Sequence, residues 1–329
     1  MTAKSPVNRI IYRAFLCLSV FLCYTNTSYS ATPLQTHDMN PLTLVYGLPL
    51  ISPARLSQQS SFSASLNVSN TINTEDKANE TLFIDGETTE LNLIYSFPVD
   101  DKTLARIRLP LISHDAGSLD SFIDDFHQSF GFPEGDRPNF ANNQFLFLYQ
   151  LNNTDIIRID QANQGVGEIT IDFGYQVYAN SNEAGSLWSS VKLPTGDSKK
   201  LTGSEQFDVA IWYATENRFQ TEWTRYYNLG LLITEEADIL PGLQKTEIVF
   251  GTAGIEWQTT AEVTLNIQLD FHSAFYNSKT KFLGDSIQIS SGGHIQLFAK
   301  GRLDIVVIED IYVGASPDVT FQLGYSQLF

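Results

Sequence analysis

Residues 263–272 read VTLNIQLDFH, a stretch in which every second side chain is apolar. The five apolar side chains, from Val263 to Phe271, alternate with Thr, Asn, Gln and Asp. Because successive side chains of a β-strand point to opposite faces, this period of two predicts a strand with one apolar and one polar face. The same alternation recurs in four other stretches, namely 61–68, 91–97, 105–111 and 168–177.

The composition of the two faces indicates which solvent each one meets. The polar face consists mainly of Ser, Thr, Asn, Gln and Gly, whereas the outward face of a soluble β-sandwich is richly charged. Aromatic residues stand near the ends of the apolar face: Phe62, Tyr95, Phe97, Tyr175, Phe271, Tyr325 and Phe329. Lipid outside, water inside and aromatic belts at the interfaces are typical of a transmembrane β-barrel.

The predicted fold class is therefore all-β, a transmembrane antiparallel up-and-down β-barrel. Nine further strands are expected at 143–151, 155–160, 186–193, 206–214, 221–232, 246–258, 286–298, 302–312 and 318–329, which gives about 14 strands in all. Alternating short and long connections support this count, because both ends of a bacterial barrel lie in the periplasm. Short joins are predicted at Asn152–Thr154 among others, and a long one at Asn70–Glu87. If 155–160 is not a strand of its own, twelve is the better count.

The last strand carries the most specific signal. Residues 318–329 read DVTFQLGYSQLF and end on an aromatic residue, Phe329. Phe321, Leu323 and Tyr325 lie on the same face, and Gln327 interrupts it once. This pattern resembles the carboxyl-terminal strand that the barrel-assembly machinery of bacterial outer membranes recognises.

The first thirty residues predict export. Lys4, Arg9 and Arg13 precede an apolar run from Ala14 to Tyr24, and polar and small residues follow it. This run of 11 residues is too short for a spanning helix, which needs about 20, and the layout is that of a secretory signal peptide. Serines at 28 and 30 predict cleavage after Ser30, and both cysteines, Cys17 and Cys23, would be removed. We expect the mature protein in the outer membrane of a Gram-negative bacterium.

Composition excludes several classes of protein. The 329 residues are 43% hydrophobic and only 17% charged, which argues against disorder. A net charge of −17 argues against a nucleic-acid partner, because phosphate backbones require Lys and Arg. The expected partners are instead outer-membrane lipids and lipopolysaccharide, the barrel-assembly machinery and small solutes.

Two segments lie outside the regular pattern. Residues 31–58 contain four prolines, too many for a regular strand, and are expected as a periplasmic or plug segment ahead of a barrel at 59–329. The long connection 113–142 has apolar residues at helical spacing from about Leu119 to Phe130, which predicts a short helix ended by Gly131 and Pro133. Asp124, Asp125, His127 and Arg137 make this loop a candidate gating or cation-binding segment, although solvated carboxylates on a rim helix would show the same pattern.

The stretches PLTLVYGLP at 41–49, the segment from Phe122 to Arg137 with its GFPxGxR, and KLPTGD at 192–197 resemble an uncharacterised family of gammaproteobacterial outer-membrane β-barrel proteins. The resemblance implies the barrel fold over most of the mature chain. It implies no activity and no catalytic residue, because the family has none established.

The sequence contains no motif that predicts an enzyme. It lacks a Gly-x-Ser-x-Gly elbow, a His-Glu-x-x-His zinc motif and a phosphate-binding loop. His127 with Asp124 is a conceivable dyad, but no serine partner can be assigned from sequence. We therefore predict no catalytic residue, no cofactor and no metal, and a barrel-embedded hydrolase is the least favoured function.

The predicted lumen face carries charges of both signs: Glu90, Arg106, Arg108, Glu168, Asp172, Lys192, Asp208 and Asp270. Opposed charges can select solutes in a pore, and they can equally form ion pairs that hold a closed lumen rigid. A barrel of 12–14 strands is narrower than the 16–18 strands of open porins. A narrow channel or transporter for small or hydrophobic solutes is ranked first, and a structural or surface-interaction barrel second.

Overall fold

The alternating stretches form fifteen β-strands in the computed structural model, which describes residues 30–123, 140–311 and 314–329. In chain order these are β1 Ser61–Lys77, β2 Glu80–Pro98, β3 Thr103–Asp115, β4 Leu146–Leu151, β5 Thr154–Ile159, β6 Asn163–Val166, β7 Thr170–Ala179, β8 Glu183–Lys192, β9 Asp208–Arg218, β10 Trp223–Thr234, β11 Glu247–Gln258, β12 Val263–His272, β13 Ser286–Phe298, β14 Gly301–Asp310 and β15 Val319–Leu328. Two short 3₁₀ helices span Ser198–Lys200 and Lys281–Leu283. The predicted loop helix is observed at 120–123, where the described part of that loop ends.

Twelve of the strands close into a ring of antiparallel neighbours. Strand β1 pairs with β2 on one side and with the last strand, β15, on the other, from Ser61 opposite Leu328 to Asn70 opposite Val319. Strand β3 pairs directly with β7, and β7 to β15 follow in chain order. Closure leaves the ring itself without a sheet edge. Each ring strand therefore has a neighbour for its backbone N–H and C=O groups, as a hydrocarbon environment requires.

The other three strands lie outside this ring, so the count of 14 is wrong and the alternative of twelve is confirmed. Strand β4 pairs with residues 80–85, the part of β2 that extends beyond the ring, and β5 pairs only with β4. Strand β6 continues the pairing of β3 past the point where β7 begins. The ring closes without these three strands because β3 pairs directly with β7. The chain between β3 and β7 therefore adds no strand to the ring.

The two ends of the barrel differ in the length of their connections. One end, called the turn end below, holds Ser61, Leu328 and the short turns at 99–102, 180–182, 219–222, 259–262 and 299–300. The opposite end, called the loop end, holds the long connections, as predicted. Two assignments are wrong. Residues 70–87 form a hairpin of continuous strands rather than a long loop, and the Asn152–Thr154 turn lies beside its tip, since Asn152 N–H donates to Asn79 O at 2.8 Å.

The outer surface of the ring is apolar at every second position. Leu229, Ile267 and Leu323 are 60%, 55% and 53% exposed although they are large and aliphatic. The alternate, inward positions are buried and mostly polar, as the sequence predicts, with apolar exceptions such as Trp188 and Trp212. Within the described residues, no helix has the length and apolar character needed to cross a membrane.

Residues 30–60 are called the plug segment below; residues 30–56 lie inside the barrel, and 57–59 are exposed at the turn end. The segment starts near the turn end beside Glu216, and its apex at 42–46 reaches the loop end. It then returns to Ser60, whose carbonyl accepts a hydrogen bond from Phe329 N–H at 2.9 Å. The predicted signal peptide, apart from Ser30, lies outside the described residues.

Candidate functional site

An apolar cluster closes the loop end of the barrel around the apex of the plug segment. Tyr46 stacks on Phe275 with ring centroids 5.0 Å apart, and Tyr276 Oη donates to Leu42 O at 2.7 Å. The same cluster contains Val45 of the plug segment, Phe282 and other buried side chains of the loops. Burial raises the pKa of the Tyr46 phenol, which therefore stays neutral. Buried apolar side chains thus fill this end of the lumen.

Below the apex, Lys192 forms the first charged centre of the lumen. Its Nζ lies 3.1 Å from Asp208 Oδ2 and 3.3 Å from Glu168 Oε1. It also donates to Val45 O of the plug segment at 3.3 Å. Lys192 is 1% exposed, so a single buried ammonium group stabilises two buried carboxylates and one turn of the plug.

Loop residues surround the Glu168 carboxylate. Its Oε2 accepts from the N–H groups of Thr195 at 2.7 Å and Gly196 at 3.0 Å, and its Oε1 accepts from Ser204 N–H at 2.6 Å. The KLPTGD stretch at 192–197 thus folds around a lumen carboxylate. This contact fixes the loop between β8 and β9 to the barrel wall.

Arg106 forms a second centre, further toward the turn end. Its Nε lies 2.6 Å from Asp172 Oδ2 on the neighbouring strand, and its Nη2 donates to Ser52 Oγ of the plug at 3.0 Å. The guanidinium carbon lies 5.1 Å from the ring centroid of Trp188, within range of a cation–π contact. Arg106 thus binds the wall and the returning half of the plug together.

Arg108 belongs to a third centre, with Glu90 and His37. His37 Nε2 of the plug lies 3.0 Å from Glu90 Oε2, and Arg108 Nη2 lies 3.9 Å from Glu90 Oε1. Asn67 and Asn92 also donate to Glu90 Oε2, at 2.9 and 2.6 Å. The Glu90 carboxylate is completely buried, and His37, Asn67 and Asn92 all contact its Oε2.

Asp270 and its neighbour His272 hold the ascending half of the plug. Asp270 accepts hydrogen bonds from Thr36 Oγ1 at 2.8 Å and from Thr252 Oγ1 at 2.7 Å. His272 Nε2 lies 2.9 Å from Asp38 Oδ2 of the plug. Both wall residues are on β12, the strand whose sequence defined the alternation.

The predicted lumen residues therefore divide into three groups. Arg106 meets Asp172, Lys192 meets Glu168 and Asp208, and Arg108 meets Glu90. Asp270 forms no ion pair among the described residues and contacts Thr36 of the plug. Asp124, Asp125, His127 and Arg137 lie outside the described residues. In the last strand, which is predicted to carry the signal for the barrel-assembly machinery, Leu323, Tyr325 and Phe329 are exposed and Phe321 is partly exposed.

Sequence reasoning missed the plug partners of these centres. His37, Asp38 and Arg55 are in a segment without periodicity, so no pattern marks them as lumen contacts. Glu216 and Glu256 lie at inward positions of β9 and β11 and could have been found from the period of two.

A cavity of about 630 Å³ remains at the turn end. Arg106, Trp188 and Leu104 line it from the wall, and Arg55 lines it from the plug. Among the described residues, no three His, Cys, Asp or Glu side chains are arranged to hold a metal ion.

Solved structures that are similar to this chain include outer-membrane channels. The COG4313 outer membrane channel from Pseudomonas putida F1 aligns over 84% of this chain and 97% of its own, with a TM-score of 0.56 and 12% identity. The NanC porin aligns over 81% and 98%, with a TM-score of 0.48 and 6% identity. The P. putida toluene transporter TodX aligns over 89% and 93%, with a TM-score of 0.43 and 9% identity.

The closed ring, its apolar exterior and its polar interior thus define a membrane β-barrel with the fold of an outer-membrane channel. The chain belongs to the family described as protein of unknown function DUF3187, whose profile matches residues 10–329. The resemblance to an uncharacterised barrel family is confirmed. No curated protein matches the chain.

Proposed function

We propose that this protein is an outer-membrane channel or transporter for small, partly apolar solutes, closed by its own plug segment. The turn end faces the periplasm and the loop end faces the cell exterior, after export directed by residues 1–30. In this assignment the charged centres of the lumen hold the plug in its closed position.

The way the plug is attached supports this proposal most directly. Within the described residues, no backbone–backbone hydrogen bond joins residues 30–59 to a barrel strand. The attachment runs through side chains such as Lys192, Arg106 and Asp270. Since the ring closes through its own strand pairs, the plug can move without opening the sheet.

The order of surfaces along the lumen suggests the class of solute. The apolar cluster around Tyr46 and Phe275 stands at the loop end, and the charged centres follow toward the cavity at the turn end. An apolar entrance favours a solute with an apolar portion. The charged centres below it favour a solute that also carries polar groups.

A reversible cross-link between plug and wall tests the proposal. A Cβ placed on Gly47 would lie 3.1 Å from Asp208 Cβ, close to the roughly 3.5–4.5 Å of a disulfide. In the variant Gly47→Cys/Asp208→Cys, Lys192 keeps Glu168 as its partner. We expect conductance in planar bilayers to be lost in the oxidised protein and recovered on reduction. In the single variant Gly47→Cys, whose Cβ meets Lys192 Cβ at 3.0 Å, conductance should be the same in the oxidised and reduced forms.

Equal conductance in the oxidised and reduced forms would show that the plug need not move. The mature chain offers no competing thiol if the signal peptide, which holds Cys17 and Cys23, is removed.

A structural or surface barrel without transport is the second candidate. The observation that favours it is that buried ion pairs and an apolar cluster occupy the lumen. This candidate predicts no conductance from the intact protein and none from the reduced cysteine variant. Such a result would overturn the channel proposal.

A further inference from the structure

Two buried carboxylates meet the plug segment where its described part begins. Ala31 N–H donates to Glu216 Oε2 at 3.2 Å, and Thr32 N–H donates to Glu256 Oε2 at 2.7 Å. Glu216 is 3% exposed and Glu256 1% exposed, and Ala31 itself is 3% exposed. The first residues of the plug therefore lie in a buried, acidic site at the turn end.

The charges in this site do not balance. Arg55 is the partner of Glu216, with Nε 3.2 Å from Oε1. Arg302, on β14, is held by both oxygens of Asp304 at 2.7 and 3.1 Å. Within the described residues, Glu256 Oε1 is buried and has no hydrogen-bond partner. No cation among the described residues forms an ion pair with Glu256, and such a buried carboxylate is costly, so the site favours one further positive charge.

The sequence offers this charge at the same place. Serines at 28 and 30 predict cleavage after Ser30, which makes Ala31 the first residue of the mature chain. Its nitrogen then changes from an amide with one N–H into an ammonium group with three N–H donors and a positive charge. Two independent observations, one from the signal peptide and one from the barrel wall, thus point to the same end of the plug, where Ala31 N contacts Glu216 and the next residue contacts Glu256.

We propose that Glu216 and Glu256 form a binding site for the α-ammonium group that signal cleavage creates on Ala31. Capture of a terminal amine is a known recognition mode of proteins. Here the ligand is the chain's own terminus, and its capture fixes the register in which Thr32, Thr36 and Asp38 contact the wall. The uncleaved chain cannot supply the charge, so cleavage completes the seating of the plug. This inference is independent of transport.

The test is the reactivity of the terminal amine in the purified outer-membrane protein. Intact-mass measurement first identifies the mature terminus, which is expected to be Ala31. An amine-specific reagent is then applied to the native barrel and to the heat-unfolded chain, and peptide mapping separates the terminus from the lysines. We expect the terminus to react at least about tenfold more slowly in the native barrel, because the ion pair keeps the amine charged and buried.

Substitutions then identify the acceptor. In Glu216→Gln/Glu256→Gln the terminus should react faster than in the native protein, whereas Glu222→Gln, an exposed acidic residue of the nearby turn, should leave the rate unchanged. Should the double variant not fold, the single variant Glu256→Gln replaces it, since Arg55 still pairs with Glu216. A mature terminus other than Ala31, equal reactivity in native and unfolded protein, or an unchanged rate in every Glu variant would each overturn the proposal.

Discussion

At the scale of single residues, the lumen shows how an acidic chain stabilises its interior. Lys192 is enclosed by Glu168 and Asp208, and also donates to Ser204 Oγ. A buried ion pair adds little stability relative to an apolar core, but loss of one member leaves an uncompensated charge. Loss of Lys192 should therefore cost more stability than loss of either carboxylate, because it leaves both Glu168 and Asp208 without their ion-pair partner.

Lys192→Met should destabilise the barrel by about 3–5 kcal/mol, because it strands Glu168 and Asp208 in a buried site. The measurement is the temperature at which the protein loses its compact migration on a detergent gel, and this temperature should fall clearly. Lys199→Met, an exposed lysine of the same loop, is the matched control and should behave like the native protein. An unchanged temperature for Lys192→Met would mean that the two carboxylates find another partner.

At the scale of elements, β4 and β5 have the composition of barrel strands without belonging to the ring. Ile156 on β5 is 39% exposed and Ile267 on β12 is 55% exposed, so exposure alone does not separate them. Pairing does, because β5 joins only β4, and β4 joins the extension of β2. We therefore expect an apolar residue on β5 to meet water or loop residues rather than lipid.

The same substitution on the two strands tests this difference. Ile267→Arg should cost about 2–4 kcal/mol, the penalty of a cation on the lipid face near the bilayer midplane. Ile156→Arg should change stability far less, because its side chain lies outside the bilayer. Denaturant unfolding of both variants in lipid vesicles measures the difference, and equal losses would place β5 in the membrane.

At the scale of the whole molecule, the ring and the plug are separable. The ring holds itself together by strand pairing from β1 round to β15, and the plug adds side-chain contacts to the inner wall. Removal of the plug exposes polar wall groups that water can solvate. The barrel should therefore survive this loss, although Glu90, Glu216 and His272 lose their partners in the plug.

Deletion of residues 31–58 should leave a closed barrel that still needs boiling to unfold, at a lower temperature than the intact protein. It should also raise single-channel conductance, since the lumen then fills with water. Gel migration with and without heating measures the first effect, and planar bilayers measure the second. A deletion variant that never forms the compact species would show that the plug is part of the folding unit.

The sequence by itself determined the barrel, because a period of two with an uncharged polar face records locally which side of each strand meets lipid. It also placed Arg106, Asp172, Lys192 and Asp270 on inward-facing positions, since alternation assigns faces without knowledge of neighbours. Only the tertiary structure decided the number of ring strands and the partners of those charges. Strand pairing between β3 and β7, and the contact of His37 with Glu90, join residues far apart in the chain. Such contacts depend on closure of the ring around the plug, and no local pattern encodes them.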